Sequence, residues 1–153
     1  MLRLRPPGPD EGPVLTELCL RSKASHGYDA AFIEACRREL TVDPGKPDIM
    51  VAELDGHCAG MAEIFVADGE AELMKIFVEP ACHGKGVGRA LFDWARSEAA
   101  GRGARVLALD ADPGAVAFYE KMGAVIVGSS PSGSIPGRML PRLELRLAAA
   151  ADV

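Results

Sequence analysis

The segment from Cys82 to Leu91 reads CHGKGVGRAL, with glycines at 84, 86 and 88 followed by apolar residues at helical spacing. Glycine is used where backbone must turn tightly or lie against a ligand, and inside a helix it costs about 1 kcal/mol relative to alanine. Lys85 and Arg89 add two positive charges. Three glycines and two cations at a helix start predict an anion site, formed by backbone N–H groups and the positive end of the helix dipole.

The spacing excludes two common nucleotide motifs. A Walker loop needs a glycine where Glu79 stands and a serine or threonine where Gly86 stands. A dinucleotide fingerprint, GxGxxG, fails at its last glycine from either possible start. A pyrophosphate suits the anion site that remains. The alternative is a plain glycine-rich connection between a strand and a helix, with the basic pair solvated.

The hydrophobic periodicity around this segment predicts a mixed α/β fold in the order βααβββαβαββ, with helices on both faces of one sheet. The predicted strands cover residues 2–5, 49–54, 57–67, 71–78, 105–111, 124–128 and 142–147. The predicted helices cover about 10–23, 30–40, 86–101 and 113–122. The Ser-, Pro- and Gly-rich stretch 129–141 is predicted to be an ordered loop.

Size and composition narrow the function classes. A chain of 153 residues with 48% hydrophobic residues is expected to form a single domain, 1–153. A net charge of −5 argues against a nucleic-acid partner. The lack of an apolar run of about 18 residues argues against a membrane protein, so a cytoplasmic location is expected. The cysteines and histidines show no spacing typical of a metal site.

Two motifs together resemble a known family. VEPACHGKGVGRAL, followed by a helix, an apolar strand and DPGAVAFYEKMGA, is similar to the GCN5-related N-acetyltransferase (GNAT) superfamily over about residues 72–128. The resemblance implies the acyl-CoA N-acyltransferase fold, α/β (α+β) with a mixed, mostly antiparallel central sheet. It also implies acetyl-CoA as co-substrate, with its pyrophosphate on the glycine segment, and no metal.

The family pattern places its charged or amide position on His83 and its two glycines on Gly86 and Gly88. His83 stands where the family has arginine or glutamine, and it can donate to a phosphate when protonated. Asp112 replaces the usual asparagine ahead of the second motif, and Ala124 replaces an aromatic residue behind it. These positions depart from the pattern, whereas the spacing of the two motifs agrees with it.

The resemblance implies how acetyl-CoA is held. The main chain of Ile76, Phe77 and Val78 would hydrogen-bond the pantetheine arm as an added strand does at a sheet edge, and an N–H there would face the thioester oxygen. The residues assigned to the cofactor are Ile76, Phe77, Val78, His83, Gly84, Lys85, Gly86, Val87, Gly88, Arg89, Asp112 and Tyr119.

Two residues are candidates for proton transfer. Tyr119 matches the family tyrosine that protonates the departing thiolate, and an ordinary tyrosine pKa near 10 keeps it protonated at neutral pH. The alternative is a core aromatic whose hydroxyl reaches the surface. Glu72 is the best candidate for taking a proton from the acceptor amine, directly or through water. The alternative is a strand glutamate paired with Lys75 or another neighbour.

The acceptor is the least defined part of the sequence. His26, Tyr28, Ser132, Ser134 and Arg138 occupy segments that line the acceptor pocket in similar proteins, and Arg138 is a candidate clamp for a substrate carboxylate. The alternative roles are capping, turn formation and a surface arginine.

The resemblance favours direct acetyl transfer from acetyl-CoA to a small-molecule primary amine through a ternary complex. Two other functions remain open: a non-catalytic acyl-CoA sensor, and acylation of a hydroxyl or of a protein N-terminus or lysine. A homodimer is a further possibility, formed through RLELRL, residues 142–147, as an edge strand.

Overall fold

Residues 1–148, which the computed structural model describes, form seven strands in one sheet. The strands are β1 (Leu2–Arg5), β2 (Ile49–Leu54), β3 (His57–Ala67), β4 (Glu70–Val78), β5 (Val106–Asp110), β6 (Val125–Pro131) and β7 (Met139–Arg146). Their order is β1-β2-β3-β4-β5-β7-β6. β4 and β5 are parallel, whereas β1–β2, β2–β3, β5–β7 and β6–β7 are antiparallel. The predicted fold class, a mixed and mostly antiparallel sheet with helices, is confirmed.

Four helices lie within the described residues: α1 (Gly12–Ala24), α2 (Ala30–Leu40), α3 (Val87–Gly101) and α4 (Val116–Lys121). The predicted cap of α2 is confirmed, because the Asp29 side chain accepts a hydrogen bond from the Phe32 N–H at 2.8 Å. The last helix is shorter than predicted, since Pro113–Ala115 form a 3₁₀ turn ahead of it. None of these helices has the length and apolar character needed to span a bilayer.

The prediction of a loop over 129–141 is wrong at both ends. β6 continues to Pro131 and β7 begins at Met139, which leaves residues 132–138 as the connection. Ser130 is paired with Leu140, and the carbonyl of Pro141 accepts from the Ala111 N–H at 2.9 Å. Pairing with neighbouring strands thus outweighs the loop preference of the serines and prolines.

The position assigned to RLELRL is also wrong. β7 lies between β5 and β6 and pairs with both, so it is an interior strand, and β6 is the edge strand. Both hydrogen-bonding edges of β7 are therefore paired with strands of the same chain. Pairing of two copies through residues 142–147 loses its basis, whereas a homodimer of another kind stays a prediction.

The chain divides into two compact units, and the single domain stays a prediction. The first unit contains residues 1–63 and 75–92, and the second contains 64–74 and those from 93 onward. In the first, Leu15 and Leu18 are almost fully buried, as the α1 periodicity predicts, whereas Val14 of the same pattern is exposed. Met61 of β3 is also buried in this unit. In the second, Leu107 and Leu109 of β5 are almost fully buried, which matches the prediction of a central, apolar strand. Leu143 of β7 is buried as well.

Gly60 in β3 allows a close approach between strand and helix in the first unit. A Cβ at this position would lie 2.8 Å from the backbone oxygen of Phe77 and 3.0 Å from side-chain atoms of Leu91 and Val87. We expect Gly60→Ala to lower the free energy of unfolding by about 1–3 kcal/mol, because β3 must move away from the β4 backbone at Phe77 and from the α3 side chains. Thermal unfolding measures the loss.

The matched control is Gly128→Ala, because its Cβ would meet no heavy atom within 4 Å and its φ is not positive. We expect its melting temperature to stay close to that of the wild type. Equal melting temperatures for the two variants would show that Gly60 is not needed for the close approach.

Candidate functional site

The glycine segment leaves open space beside its backbone. Gly84 and Gly86 have φ values of +78° and +80°, in the left-handed region that favours glycine. A Cβ on either residue would meet no heavy atom within 4 Å. Since no side chain among residues 1–148 fills this space, the two glycines serve the turn itself and leave backbone accessible to a ligand. This geometry fits a phosphate group.

The segment ends in a helix N-terminus. The Ala90 N–H donates to the Gly86 oxygen at 3.0 Å, so Gly86 precedes α3 as its cap and Gly88 alone of the three glycines lies in the helix. The first N–H groups of a helix have no acceptor within it and carry partial positive charge. The amides of Val87, Gly88 and Arg89 are therefore suited to an anion.

The basic side chains of the glycine segment are exposed, whereas its valine is buried. His83, Lys85 and Arg89 are exposed to solvent, whereas Val87 is 1% exposed and anchors the start of α3 in the core. The cations can therefore reach a ligand lying on the segment, while the helix behind them stays fixed. The segment therefore offers backbone and charge of the kind that an anion site requires, and the anion site itself stays a prediction.

The strand assigned to the pantetheine arm leads into this segment. The parallel pairing of β4 with β5 covers Glu70–Glu72, and Ile76–Val78 follow it, half-buried. Immediately after β4, the Glu79 N–H donates to the Ala59 oxygen at 2.8 Å, and Arg21 of α1 donates to both carboxylate oxygens of Glu79 at 2.9 and 2.8 Å. The Arg21 hydrogen bonds lower the pKa of Glu79. Glu79, between β4 and the glycine segment, is thus held by hydrogen bonds to β3 and α1.

Tyr119 is a buried phenol in the second unit. The residue is 7% exposed, and its ring meets Phe118 edge to face with 5.2 Å between the ring centroids. Burial raises the pKa of Tyr119, and the Asp112 carboxylate raises it further, because both disfavour the phenolate. The phenol stays protonated at neutral pH, as a proton donor must.

Asp112 and Arg138, which the sequence placed in separate roles, face each other. The Gly114 N–H donates to Oδ1 of Asp112 at 2.9 Å, which caps the 3₁₀ turn ahead of α4. Nη2 of Arg138 lies 3.7 Å from Oδ2 of the same carboxylate. An arginine predicted to clamp a substrate carboxylate therefore already faces a carboxylate of its own chain.

Glu72 forms a bidentate ion pair. Its two oxygens accept from Nη1 and Nη2 of Arg142, both at 2.7 Å, and Nη1 also donates to Asp110 at 3.0 Å. These carboxylates raise the pKa of Arg142. Glu72 lines a surface cavity of about 280 Å³. Arg142 thus occupies one acceptor site on each Glu72 oxygen, and the catalytic role of Glu72 stays a prediction.

Lys75, considered as a partner of Glu72, instead lies 3.3 Å from Glu63, a carboxylate that the sequence analysis missed. Glu63 is 5% exposed, and Lys46 approaches its other oxygen at 3.7 Å. The available signal was an acidic residue inside the apolar run CAGMAEIFVA. Among the described residues, no group of three or more His, Cys, Asp or Glu side chains is arranged to hold a metal ion.

The acceptor candidates of the first unit lie between α1 and α2. Tyr28 stacks on Phe32 with 4.0 Å between ring centroids, and Nζ of Lys23 lies 5.5 Å from the Tyr28 ring. The backbone N–H of His26 donates to the backbone oxygen of Lys23 at 3.2 Å. His26 is exposed and Tyr28 is half-buried, so both can contact a ligand, and their role in binding stays a prediction.

The acceptor candidates of the second unit lie in the 132–138 connection. Ser132 Oγ accepts from the N–H groups of Ser134 and Ile135 at 3.1 and 3.0 Å, which is the turn chemistry expected as the alternative. Within the described residues, the Ser134 hydroxyl is buried without a hydrogen-bond partner. Ser132 therefore has a structural role, whereas a role for Ser134 in binding stays a prediction.

Comparison with known proteins gives one family. The family model described as the acetyltransferase (GNAT) family matches residues 15–124. Two curated relatives, both mycothiol acetyltransferases, are similar in sequence: that of Clavibacter michiganensis subsp. michiganensis is 38% identical over 117 residues, and that of Clavibacter sepedonicus is 35% identical over 119. The matches cover 76% of this chain, which spans only 38% of the length of either relative.

Solved structures support the same fold. A GCN5-related N-acetyltransferase from Rhodopseudomonas palustris has a TM-score of 0.79 at 25% identity, with 95% of each chain covered. The PaiA N-acetyltransferase from Thermoplasma acidophilum, solved in complex with coenzyme A, has a TM-score of 0.76 at 20% identity, with 95% of this chain and 99% of that chain covered.

Proposed function

This chain belongs to the acetyltransferase (GNAT) family, and on that premise we propose that it transfers an acetyl group from acetyl-CoA to a primary amine of a small molecule. The observation that carries the proposal is the glycine segment, where Gly84 and Gly86 leave open backbone ahead of the α3 N-terminus. That backbone, with Lys85 and Arg89, would hold the pyrophosphate. The coenzyme A in the PaiA structure supports this choice of co-substrate.

Direct transfer requires one bond to form and one to break. The amine nitrogen attacks the thioester carbonyl, the new C–N bond forms, and the C–S bond breaks. The nitrogen loses a proton and the sulfur gains one. In the proposal, Tyr119 protonates the sulfur, Glu72 takes the proton from the nitrogen directly or through water, and an N–H of Ile76–Val78 faces the thioester oxygen.

The acceptor class is proposed from the relatives. Both curated relatives are mycothiol acetyltransferases, so a small-molecule amine is favoured over a protein substrate. His26, Tyr28, Ser134 and Arg138 remain the candidates for acceptor contacts. A cytoplasmic location and a homodimer are further proposals, and they rest on the sequence analysis.

The test is a thiol-release assay with acetyl-CoA and a panel of small primary amines that includes the acceptor of the mycothiol acetyltransferases. We expect release that depends on the amine, initial rates of the ternary-complex form, and no acetyl group bound covalently to the protein. Acetyl-CoA binding without thiol release for any amine would favour a sensor. Acetylation of peptides but of no small amine would favour a protein acceptor.

The arrangement of Glu72 predicts a modest catalytic effect. We expect Glu72→Gln to lower kcat by less than about tenfold, because positioning of the amine against the thioester supplies most of the effect and the glutamine oxygen can still accept from Arg142. The control is Glu70→Gln, two residues earlier in β4. A loss of kcat larger than that of Tyr119→Phe would make Glu72 the dominant proton-transfer residue.

A further inference from the structure

We propose that Arg21 is a positioning residue for acetyl-CoA: acting through Glu79, it fixes the junction between Ile76–Val78 and the glycine segment. The inference rests on the proposed function, in which Ile76–Val78 hold the pantetheine arm and the glycine segment holds the pyrophosphate. It gives a role to a residue of α1 that belongs to neither segment, and it says which parts of the co-substrate depend on that residue.

The main chain of Glu79 lies at this junction. Glu79 follows Val78 directly, and the 3₁₀ turn Pro80–Cys82 leads from it into the glycine segment. The Glu79 N–H donates to the Ala59 oxygen of β3 at 2.8 Å, and the Glu79 oxygen accepts from the Cys82 N–H at 2.8 Å. One hydrogen bond thus belongs to the strand side and the other to the turn. The course of the chain on both sides depends on how Glu79 is held.

Arg21 holds the side chain of Glu79 with two hydrogen bonds. Nε donates to Oε1 at 2.9 Å, and Nη2 donates to Oε2 at 2.8 Å. A planar guanidinium that uses two donors fixes the orientation of a carboxylate as well as its position, which a single ammonium does not. The two residues are 58 positions apart, so the pair ties the junction to α1 and not to a neighbour in sequence.

The helix that carries Arg21 is a firm anchor. Leu18, Cys19 and Leu20, which precede Arg21 in α1, are at most 4% exposed. The side chain of Arg21 is 52% exposed and that of Glu79 is 21% exposed. Ion pairs with this much exposure contribute little to the stability of a fold. Loss of the pair should therefore loosen the junction without unfolding the chain.

Acetyl-CoA would span both segments, so its affinity depends on how they are placed relative to each other. A ligand that contacts two sites gains from the second contact only when the sites are held at the spacing that the ligand requires. Segments that are fixed before binding also need less ordering in the complex. A ligand that contacts the glycine segment alone has no such dependence. Arg21 should therefore affect binding of the whole co-substrate and not of its nucleotide part.

The test is a calorimetric titration of Arg21→Met with acetyl-CoA, desulfo-CoA and adenosine diphosphate. We expect the Kd of acetyl-CoA and of desulfo-CoA to rise about tenfold, and that of adenosine diphosphate to stay within about twofold of the wild type. In the thiol-release assay, KM for acetyl-CoA should rise in parallel while kcat stays nearly unchanged. Arg21→Lys keeps the charge without the paired donors and should give an intermediate Kd.

The double variant Arg21→Met/Glu79→Gln separates the lost link from the effect of an unpaired charge. We expect it to bind all three ligands as Arg21→Met does, because the link is already absent. Repulsion between an unpaired Glu79 carboxylate and the pyrophosphate would instead weaken adenosine diphosphate in Arg21→Met, and the double variant would recover that affinity. This result would overturn the proposal.

The control is Arg37→Met. It removes a partly exposed arginine that joins two helices, through Glu17 of α1 and Glu34 of α2, and it should leave all three affinities unchanged. An equal loss of affinity for the three ligands in Arg21→Met would indicate a general structural role and contradict the proposal. So would a wild-type Kd for acetyl-CoA in Arg21→Met. A wild-type protein that binds no acetyl-CoA would overturn the proposed function, and this inference with it.

Discussion

Tyr119→Phe is expected to lower kcat by roughly 10²- to 10⁴-fold, the range typical of a positioned general acid, and to leave acetyl-CoA affinity nearly unchanged. The substitution removes one oxygen and keeps the ring that meets Phe118 edge to face. Without the phenol, the departing thiolate must take its proton from water. Steady-state kinetics give kcat, and a calorimetric titration gives the affinity.

The pH dependence provides a second readout for Tyr119. Because burial and Asp112 raise its pKa, the phenol should remain protonated beyond the ordinary value near 10. The wild-type rate should therefore not fall near pH 10 through ionisation of Tyr119. In that range the pH profiles of the wild type and of Tyr119→Phe should have the same shape. The control is Tyr28→Phe, at the other of the two tyrosines, for which we expect at most a change in KM for the amine. A wild-type kcat in Tyr119→Phe would remove the residue from the mechanism.

Gly86→Glu is expected to abolish acetyl-CoA binding. The new side chain would enter the open space beside the backbone and bring a negative charge to the place proposed for the pyrophosphate. Thermal unfolding with and without acetyl-CoA detects the loss of binding, because a ligand at about 100 times its Kd stabilises the folded protein by about 2.7 kcal/mol. The wild type should melt higher with acetyl-CoA present, whereas the variant should not respond.

Gly103→Glu is the matched control for this prediction. Gly103 has a φ of +84° and open space around its Cβ, so the substitution carries similar backbone strain and the same charge. It lies between α3 and β5, away in sequence from the glycine segment. The control should lose stability and keep its response to acetyl-CoA. A Gly86→Glu protein that still responds would show that the pyrophosphate lies elsewhere.

Local signals in the sequence predicted much of the fold. The cap at Asp29, the apolar stripe of α3 and the glycine segment each depend on neighbouring residues, and the structure contains all three. The resemblance predicted the family, which residues 15–124 match. Features that depend on neighbouring residues are therefore predictable from the sequence alone.

Contacts between distant residues could not be predicted in this way. Arg142 pairs with Glu72 across 70 positions of the chain, and no local pattern selects it over another arginine. Arg138 and Asp112 are brought together by the connection between β6 and β7, whose strands were predicted too short. Such pairs depend on strand register and turn geometry, which only the folded chain defines.

Calorimetric titration with acetyl-CoA tests the central claim most directly, with adenosine diphosphate and desulfo-CoA as parallel ligands. The account predicts saturable binding of acetyl-CoA that is tighter than that of adenosine diphosphate, because Ile76–Val78 would add hydrogen bonds to the pantetheine arm. Desulfo-CoA, which keeps that arm, should bind more tightly than the nucleotide fragment as well. The absence of acetyl-CoA binding at millimolar concentration would contradict the account.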